Sequence, residues 1–162
     1  MNQAELIRHE LDRAGIAYTF FGNEFLFTVS APMEASIRFF SDGIAEYRVY
    51  YPYVVSKRLQ EERDNLAGIG MLLNEINRYC YPEGGEDDSY RYLSRAVLFV
   101  EEDAVDLGFI GCSPAVENLT AHMQNLASYL KALYPCIDSL LNGTFDAGDA
   151  LEYCRRNGLL PD

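Results

Sequence analysis

The chain has 162 residues, 49% of them hydrophobic, which is enough for one buried core and short for two. It carries 25 acidic residues against 13 basic ones, a formal net charge of −12. This excess of negative charge repels phosphate groups, so neither nucleic acid nor an anionic membrane is expected as a partner. We predict a single domain, residues 1–162, with its core at 2–142 and a helical extension at 146–158.

The N-terminal stretch MNQAELIRHELDRAG has acids within a helical pattern, where a signal peptide has a basic start and an apolar block. The apolar runs are far shorter than the ~18 residues typical of a membrane span. We therefore expect a cytoplasmic protein. The four cysteines include no CxxC pair and only two histidines accompany them, so we predict reduced thiols, no disulfide, no metal site and no cofactor.

In the first half of the chain, the spacing of apolar residues predicts a helix followed by a group of strands. Apolar residues repeat at three and four from Ala4 to Ala14, which predicts a helix over 2–14 that ends at Gly15. The period then changes to two, which predicts strands near 17–21, 24–30, 36–41 and 44–51. Gly22-Asn23 and Asp42-Gly43 are hairpin turn signals between them.

The second half repeats this alternation between helix and strand. A helical pattern ends near Cys80, and two alternating runs joined at Asp103 predict another hairpin. Ser113 and Pro114 have the residue types of an N-cap and first turn, and a long apolar seam follows them. Pro135 is predicted to kink or split this long helix, and a short helix is predicted between Asp146 and Gly158.

The stretch YRVYYPYVV, which is the segment Tyr47–Val55, has four tyrosines within seven positions. Alternation places Tyr47 and Tyr51 on the core face of a strand and Arg48 and Tyr50 on the opposite face. Tyrosine and arginine are enriched at protein interfaces. We therefore predict a partner or dimer surface formed by Arg48 and Tyr50. Tyr90 and Tyr92 from a later strand are the further candidates for this surface.

Motifs for catalysis or ligand binding are weak in this sequence. The acidic loop EGGEDD at 83–88 lacks the ligand order of an EF-hand, which favours a solvated loop. GFIGCS lacks the lysine and spacing of a P-loop. His9 and His122 each lie in a helical pattern, so no local Ser-His or Cys-His pair can be named, and no catalytic residue is predicted.

The order of elements resembles the fold shared by type III secretion chaperones and the YbjN-type family of bacterial sensory transduction regulators. The segments that carry the resemblance are LLNEINR, which ends the second helix, and LFVEEDAVDLGFIGCSP, which runs through a strand, an acidic turn and a strand toward the long helix. The resemblance implies an α+β fold with one antiparallel sheet of about five strands. It also implies the order α-β-β-β-α-β-β-α, here with an extra C-terminal helix.

The resemblance implies a non-enzymatic protein that binds another polypeptide, as a chaperone or a regulatory adaptor. Secretion chaperones are typically acidic homodimers that hold an extended segment of a partner, so a homodimer is one form in which this surface would be used. Two alternatives stay open. One is a small enzyme whose site is assembled from residues distant in sequence, and the other is an acidic inhibitor such as an immunity protein.

Overall fold

The computed structural model describes residues 2–40, 43–52, 66–79, 94–100, 105–113 and 118–161. Within these ranges the chain forms four helices and six strands, which makes it an α+β protein as predicted. The helices are α1 (Gln3–Arg13), α2 (Leu66–Tyr79), α3 (Leu119–Leu141) and α4 (Ala147–Arg156). The strands are β1 (Tyr18–Phe21), β2 (Glu24–Ser30), β3 (Met33–Phe39), β4 (Ala45–Tyr51), β5 (Ser94–Val100) and β6 (Val105–Ser113).

The strands form one antiparallel sheet in the order β1-β2-β3-β4-β6-β5. Gly22 and Asn23 connect β1 to β2 as predicted, and Gly22 has the positive φ of 65° that such a tight turn favours. β6 inserts between β4 and β5, with Tyr50 opposite Gly108 and Gly108 opposite Val97. The sheet therefore places the first and second halves of the chain side by side.

The core lies between the sheet and the helices. Alternate residues of β4 confirm the predicted faces, since Ala45, Tyr47 and Val49 are fully buried. Tyr51 shares this face and stacks on Tyr134 of α3, with ring centroids 4.6 Å apart and planes 5° from parallel. α3 packs across β2, β4 and β6, while α2 packs on β5 and α4 packs on α2 and α3. The same core cluster also includes Ala150, Cys154 and Leu160 near the C-terminus.

Side chains cap the N-terminal ends of three helices. Asn2 and Glu5 form a capping box at the start of α1, and Asp146 and Asp149 form one at the start of α4, where the predicted cap is confirmed. The N-terminal end of α3 is capped by a carboxylate from another helix. Glu10 of α1 accepts hydrogen bonds from the Asn118 backbone N–H at 2.7 Å and from the Thr120 hydroxyl at 3.0 Å.

Three details differ from the sequence predictions. The second helix follows four strands because 18–21 pairs with β2 as a separate strand, so the sheet has six strands where about five were expected. Ser113 is not a helix cap but the buried last residue of β6, paired with Ala45. Of the two effects predicted for Pro135, the split of α3 is wrong, because the helix runs unbroken from Leu119 to Leu141. The kink stays a prediction.

Several sequence predictions fall outside the described residues. They are Asp42 of the predicted Asp42-Gly43 turn, the acidic loop at 83–88, Cys80, Asp103 and Pro114. Among the residues that are described, no helix has the length and apolar character needed to cross a membrane. The described cysteines, Cys112, Cys136 and Cys154, are not joined in disulfides, and the last two are buried.

Candidate binding surface on the outer face of the sheet

Alternate strand residues point away from the core and form a second surface, called here the outer face. None of the four described helices packs on it. Its residues come from all six strands: Thr19, Phe21, Glu24, Leu26, Thr28, Glu34, Ser36, Arg38, Glu46, Arg48, Tyr50, Arg95, Val97, Phe99, Asp106, Gly108, Ile110 and Cys112. The outer face therefore mixes charged groups with aromatic and aliphatic side chains.

A close cluster of aromatic side chains with one arginine lies at the centre of this face. The Tyr50 ring meets the Phe99 ring edge to face, with centroids 6.0 Å apart. The Arg48 guanidinium carbon lies 5.2 Å from the Phe99 centroid, a cation–π contact. Tyr50 and Phe99 come from β4 and β5, and β6 runs between them. They reach each other because Gly108 of β6 has no side chain to separate them.

A shallow groove of about 240 Å³ adjoins this cluster. It is lined by Tyr50, Phe99 and Arg48 together with acidic and small residues of β2, β3 and β6. A second depression of about 390 Å³ continues toward β1 and shares Leu26, Glu34 and Tyr50 with the first. The two depressions therefore adjoin each other on the outer face.

The charges on the outer face are arranged in cross-strand and same-strand contacts. The Arg48 Nε donates to Glu46 Oε1 at 3.0 Å, and the Arg38 Nη2 lies 3.6 Å from Glu24 Oε2. The Tyr50 hydroxyl donates to Glu34 Oε2 at 3.3 Å. These contacts fix the orientation of the Arg48 and Tyr50 side chains that the sequence assigned to a partner surface.

The structure brings together two of the four predicted surface residues, Arg48 and Tyr50. Tyr90 and Tyr92 lie outside the described residues. Sequence reasoning missed Phe99 and Leu26, of which Leu26 is 45% exposed. Period-two alternation could have identified both residues, because it places Phe99 on the same strand face as Arg95 and Leu26 on the same strand face as Glu24.

A polar cluster lies on the core side of the sheet. The Tyr47 hydroxyl is 2.8 Å from Ser94 Oγ, and His122 Nε2 is 3.1 Å from Ser94 Oγ and 3.4 Å from the Tyr47 hydroxyl. Burial lowers the pKa of His122 to about 4, so the imidazole is neutral at neutral pH. The sequence could not indicate this Ser-His pair, because its residues are 28 positions apart and meet only through the packing of α3 on the sheet.

Ser94 is 4% exposed and Tyr47 is fully buried, so a substrate has little access to this cluster. Its hydroxyls and imidazole satisfy one another inside the core, as buried polar groups generally do. Among the described residues, no group of three or more histidine, cysteine, aspartate or glutamate side chains is placed to hold a metal ion. The outer face is consequently the stronger candidate for a functional site.

Comparison of the chain with models of protein families, with curated proteins and with solved structures finds no match. The resemblance to secretion chaperones and YbjN-type regulators therefore stays a prediction from the sequence.

Proposed function

We propose that this protein is a non-enzymatic binding module of the cytoplasm that holds another polypeptide against the outer face of its sheet, as a chaperone or a regulatory adaptor. One observation carries the proposal: a groove lined by Arg48, Tyr50 and Phe99 on a face that none of the described helices covers. Aromatic residues and arginine are enriched at protein interfaces because they combine large contact area with hydrogen-bonding groups.

The cytoplasmic part of this proposal is supported by Cys136 and Cys154. These buried thiols lie in hydrogen-bonding contact without being joined in a disulfide, as is usual in a reducing compartment. A homodimer through the same face is a second form of the proposal, and sedimentation of the pure protein distinguishes it from a complex with another chain.

A pull-down with matched variants tests the proposal. Wild type, Tyr50→Ala and Tyr79→Ala proteins are immobilised and exposed to extract of the native host, and bound proteins are identified by mass spectrometry. Tyr79 is a suitable control because it is an exposed aromatic residue on α2, outside the groove. We expect one partner to be captured by wild type and Tyr79→Ala and lost with Tyr50→Ala. Equal capture by all three proteins would contradict the proposal.

A small enzyme is the second candidate function, and the Ser94–His122 contact of 3.1 Å is the observation that favours it. A fluorophosphonate probe, which reacts with activated serines, tests it directly. Labelling of wild type that is lost with Ser94→Ala would establish a nucleophilic serine. No labelling at Ser94, despite labelling of a control serine hydrolase, would exclude serine-based catalysis at this cluster and leave it as part of the core.

An acidic inhibitor remains the third reading of the net charge of −12. The pull-down separates it from a chaperone or adaptor, because the captured partner of an inhibitor has an activity that the complex suppresses. An activity assay of the partner with and without this protein decides between them.

A further inference from the structure

We propose that strand β1 pairs edge to edge with β1 of a second copy of this chain, so that two sheets join into one. β1 (Tyr18–Phe21) is the end strand of the sheet and pairs with β2 on one side. An end strand presents a row of backbone N–H and C=O groups that can bind another strand. Such a dimer leaves the outer face free and therefore goes beyond the binding function proposed above.

The hydrogen bonds of β2 show which backbone groups of β1 face its neighbour. The Phe39 N–H donates to the Asn23 carbonyl at 2.9 Å, so the backbone of Asn23 is directed toward β3. Backbone direction alternates along a strand, so Glu24 is directed toward β1, where it lies opposite Phe21. Phe21 is therefore bonded to β2 and so, two residues earlier, is Thr19.

The backbone N–H and C=O groups of Tyr18 and Phe20 consequently point away from β2. Within the described ranges, no other group forms a hydrogen bond with them. The opposite edge of the sheet differs, because the Asn77 side chain bonds to the backbone of β5 there. β1 is therefore the edge at which a further strand can be added.

β1 also lacks the charges that normally keep sheet edges apart. The segment 14–23 contains no charged residue, although the chain has a net charge of −12. Charged side chains and proline are usual means by which an edge strand avoids pairing with a neighbouring molecule. Phe21 is instead 88% exposed there, and Thr19 is exposed on the same face. Two acidic copies can therefore approach along this segment without bringing like charges together.

One register pairs every outward group of Tyr18 and Phe20. A two-fold axis at Thr19 places Tyr18 opposite Phe20 of the second copy, and Phe20 opposite Tyr18 of that copy. Such opposed residues exchange both of their hydrogen bonds, so each outward N–H and C=O group gains a partner. Thr19 then lies opposite Thr19 of the second copy, and Phe21 lies opposite Ala17, which is exposed. The contact is isologous, as in most dimers.

The two outer faces lie on the same side of the joined sheet, because residues opposite each other in neighbouring strands share a face. The depression of about 390 Å³ that includes Thr19 and Tyr50 would continue into that of the second copy. We expect a weak, reversible dimer, because a strand of four residues buries little area.

Sedimentation velocity over a range of concentrations tests the dimer with matched charge variants, and circular dichroism checks that each variant is folded. Thr19→Lys places two like charges opposite each other at the axis. Thr28→Lys is the control, because Thr28 is an exposed threonine on the same face but on β2, away from the edge. We expect wild type and Thr28→Lys to dimerise alike, and Thr19→Lys to raise the dissociation constant about tenfold.

Cross-linking gives a second readout that tests the register directly. Residues opposite each other in a non-hydrogen-bonded pair have Cα atoms about 4.5 Å apart, which is within the range of a disulfide. Thr19→Cys should therefore give a covalent dimer on a non-reducing gel after oxidation by air with copper phenanthroline. Thr28→Cys should not, and wild type accounts for the native cysteines, including exposed Cys112.

A wild type that is monomeric at every concentration would overturn the inference. If Thr19→Lys then lost the partner captured in the pull-down, the edge would bind a strand of another polypeptide. A dimer that is kept with Thr19→Lys and lost with Tyr50→Ala would be formed by the outer face, and that result would also overturn the inference. Failure to capture any partner by a protein that still dimerises through β1 would contradict the proposed function alone.

Discussion

The side-chain amide of Asn77 forms two hydrogen bonds with the backbone of Ala96. The Ala96 N–H donates to Asn77 Oδ1 at 2.7 Å, and Asn77 Nδ2 donates to the Ala96 carbonyl at 3.1 Å. Ala96 lies on β5, which is at the edge of the sheet. At this position α2 supplies the hydrogen bonds that a further strand would make, and it thereby shields the edge from pairing with other chains.

Asn77→Ala should lower the free energy of unfolding by about 1–3 kcal/mol, because it leaves a backbone donor and acceptor without partners. Asn74→Ala is the control, since Asn74 is exposed on the same helix and the substitution changes helix propensity equally. Urea unfolding measures both. Amide exchange should also accelerate at Ala96 in the Asn77 variant alone, and unchanged protection there would contradict the proposed role of the side chain.

Gly108→Ala should destabilise the protein by about 1–3 kcal/mol and disturb the groove, because there is no room for a methyl group. A Cβ at Gly108 would overlap the Val49 carbonyl oxygen and lie 2.7 Å from Tyr50 Cβ and 2.8 Å from Phe99 Cε2. Gly70→Ala is the matched control, since nothing lies within 4 Å of the added atom on α2. It should be neutral or stabilising by up to about 1 kcal/mol. Thermal unfolding distinguishes the two.

Tyr47→Ala should cost about 3–5 kcal/mol of stability, as truncation of a buried aromatic residue does. Tyr47 is fully buried and its hydroxyl contacts Ser94. Tyr50→Ala should cost about 1 kcal/mol, since it loses an edge contact with Phe99 on a partly exposed surface. Chemical denaturation of both variants is the measurement, and equal losses would show that the two faces of β4 are assigned wrongly.

His122 should make the folded protein less stable in acid. Burial lowers its pKa from 6.5 to about 4 in the folded protein, so the unfolded chain binds the proton first as the pH falls. This contribution to stability is fully present above about pH 6.5 and is lost between about pH 6.5 and 4. His122→Gln removes it, so the free energy of unfolding should fall less over that range than in wild type.

The control for this experiment is His9→Gln, in which the lost histidine is exposed on α1. Urea unfolding across the pH range gives the free energies for wild type and both variants. If His122→Gln retains the wild-type dependence on pH, the imidazole is protonated equally in the folded and unfolded states, and its burial has no electrostatic consequence.

The buried thiol of Cys136 should resist modification. Hydrogen bonding to Cys154, together with burial, raises the pKa of Cys136, and its thiol also lies 3.7 Å from the Ala150 carbonyl oxygen. Iodoacetamide reacts with thiolates, so it should modify exposed Cys112 well before Cys136. Peptide mapping by mass spectrometry gives the order of reaction. Modification of Cys136 at the rate of Cys112 would show that α4 readily separates from α3 and exposes the thiol.

The amino-acid sequence by itself determined the local features of this protein. The change of apolar period located the helices and strands, the Gly22-Asn23 pair located a hairpin turn, and Asp146 located the start of α4. Alternation along β4 also assigned Tyr47 to the core and Tyr50 to the outer face. These features depend on neighbouring residues, so their physical causes are contained within short segments.

Only the tertiary structure decided which segments meet. β6 lies between β4 and β5, and this order brings Phe99 to Tyr50 across Gly108. The packing of α3 brings His122 to Ser94. Periodicity specifies which face a side chain occupies but not which strand lies beside it, because that choice depends on burial of the whole core. The groove of the outer face consequently follows from the pairing of distant strands. Alternation in the sequence assigns residues to that face but does not bring them together.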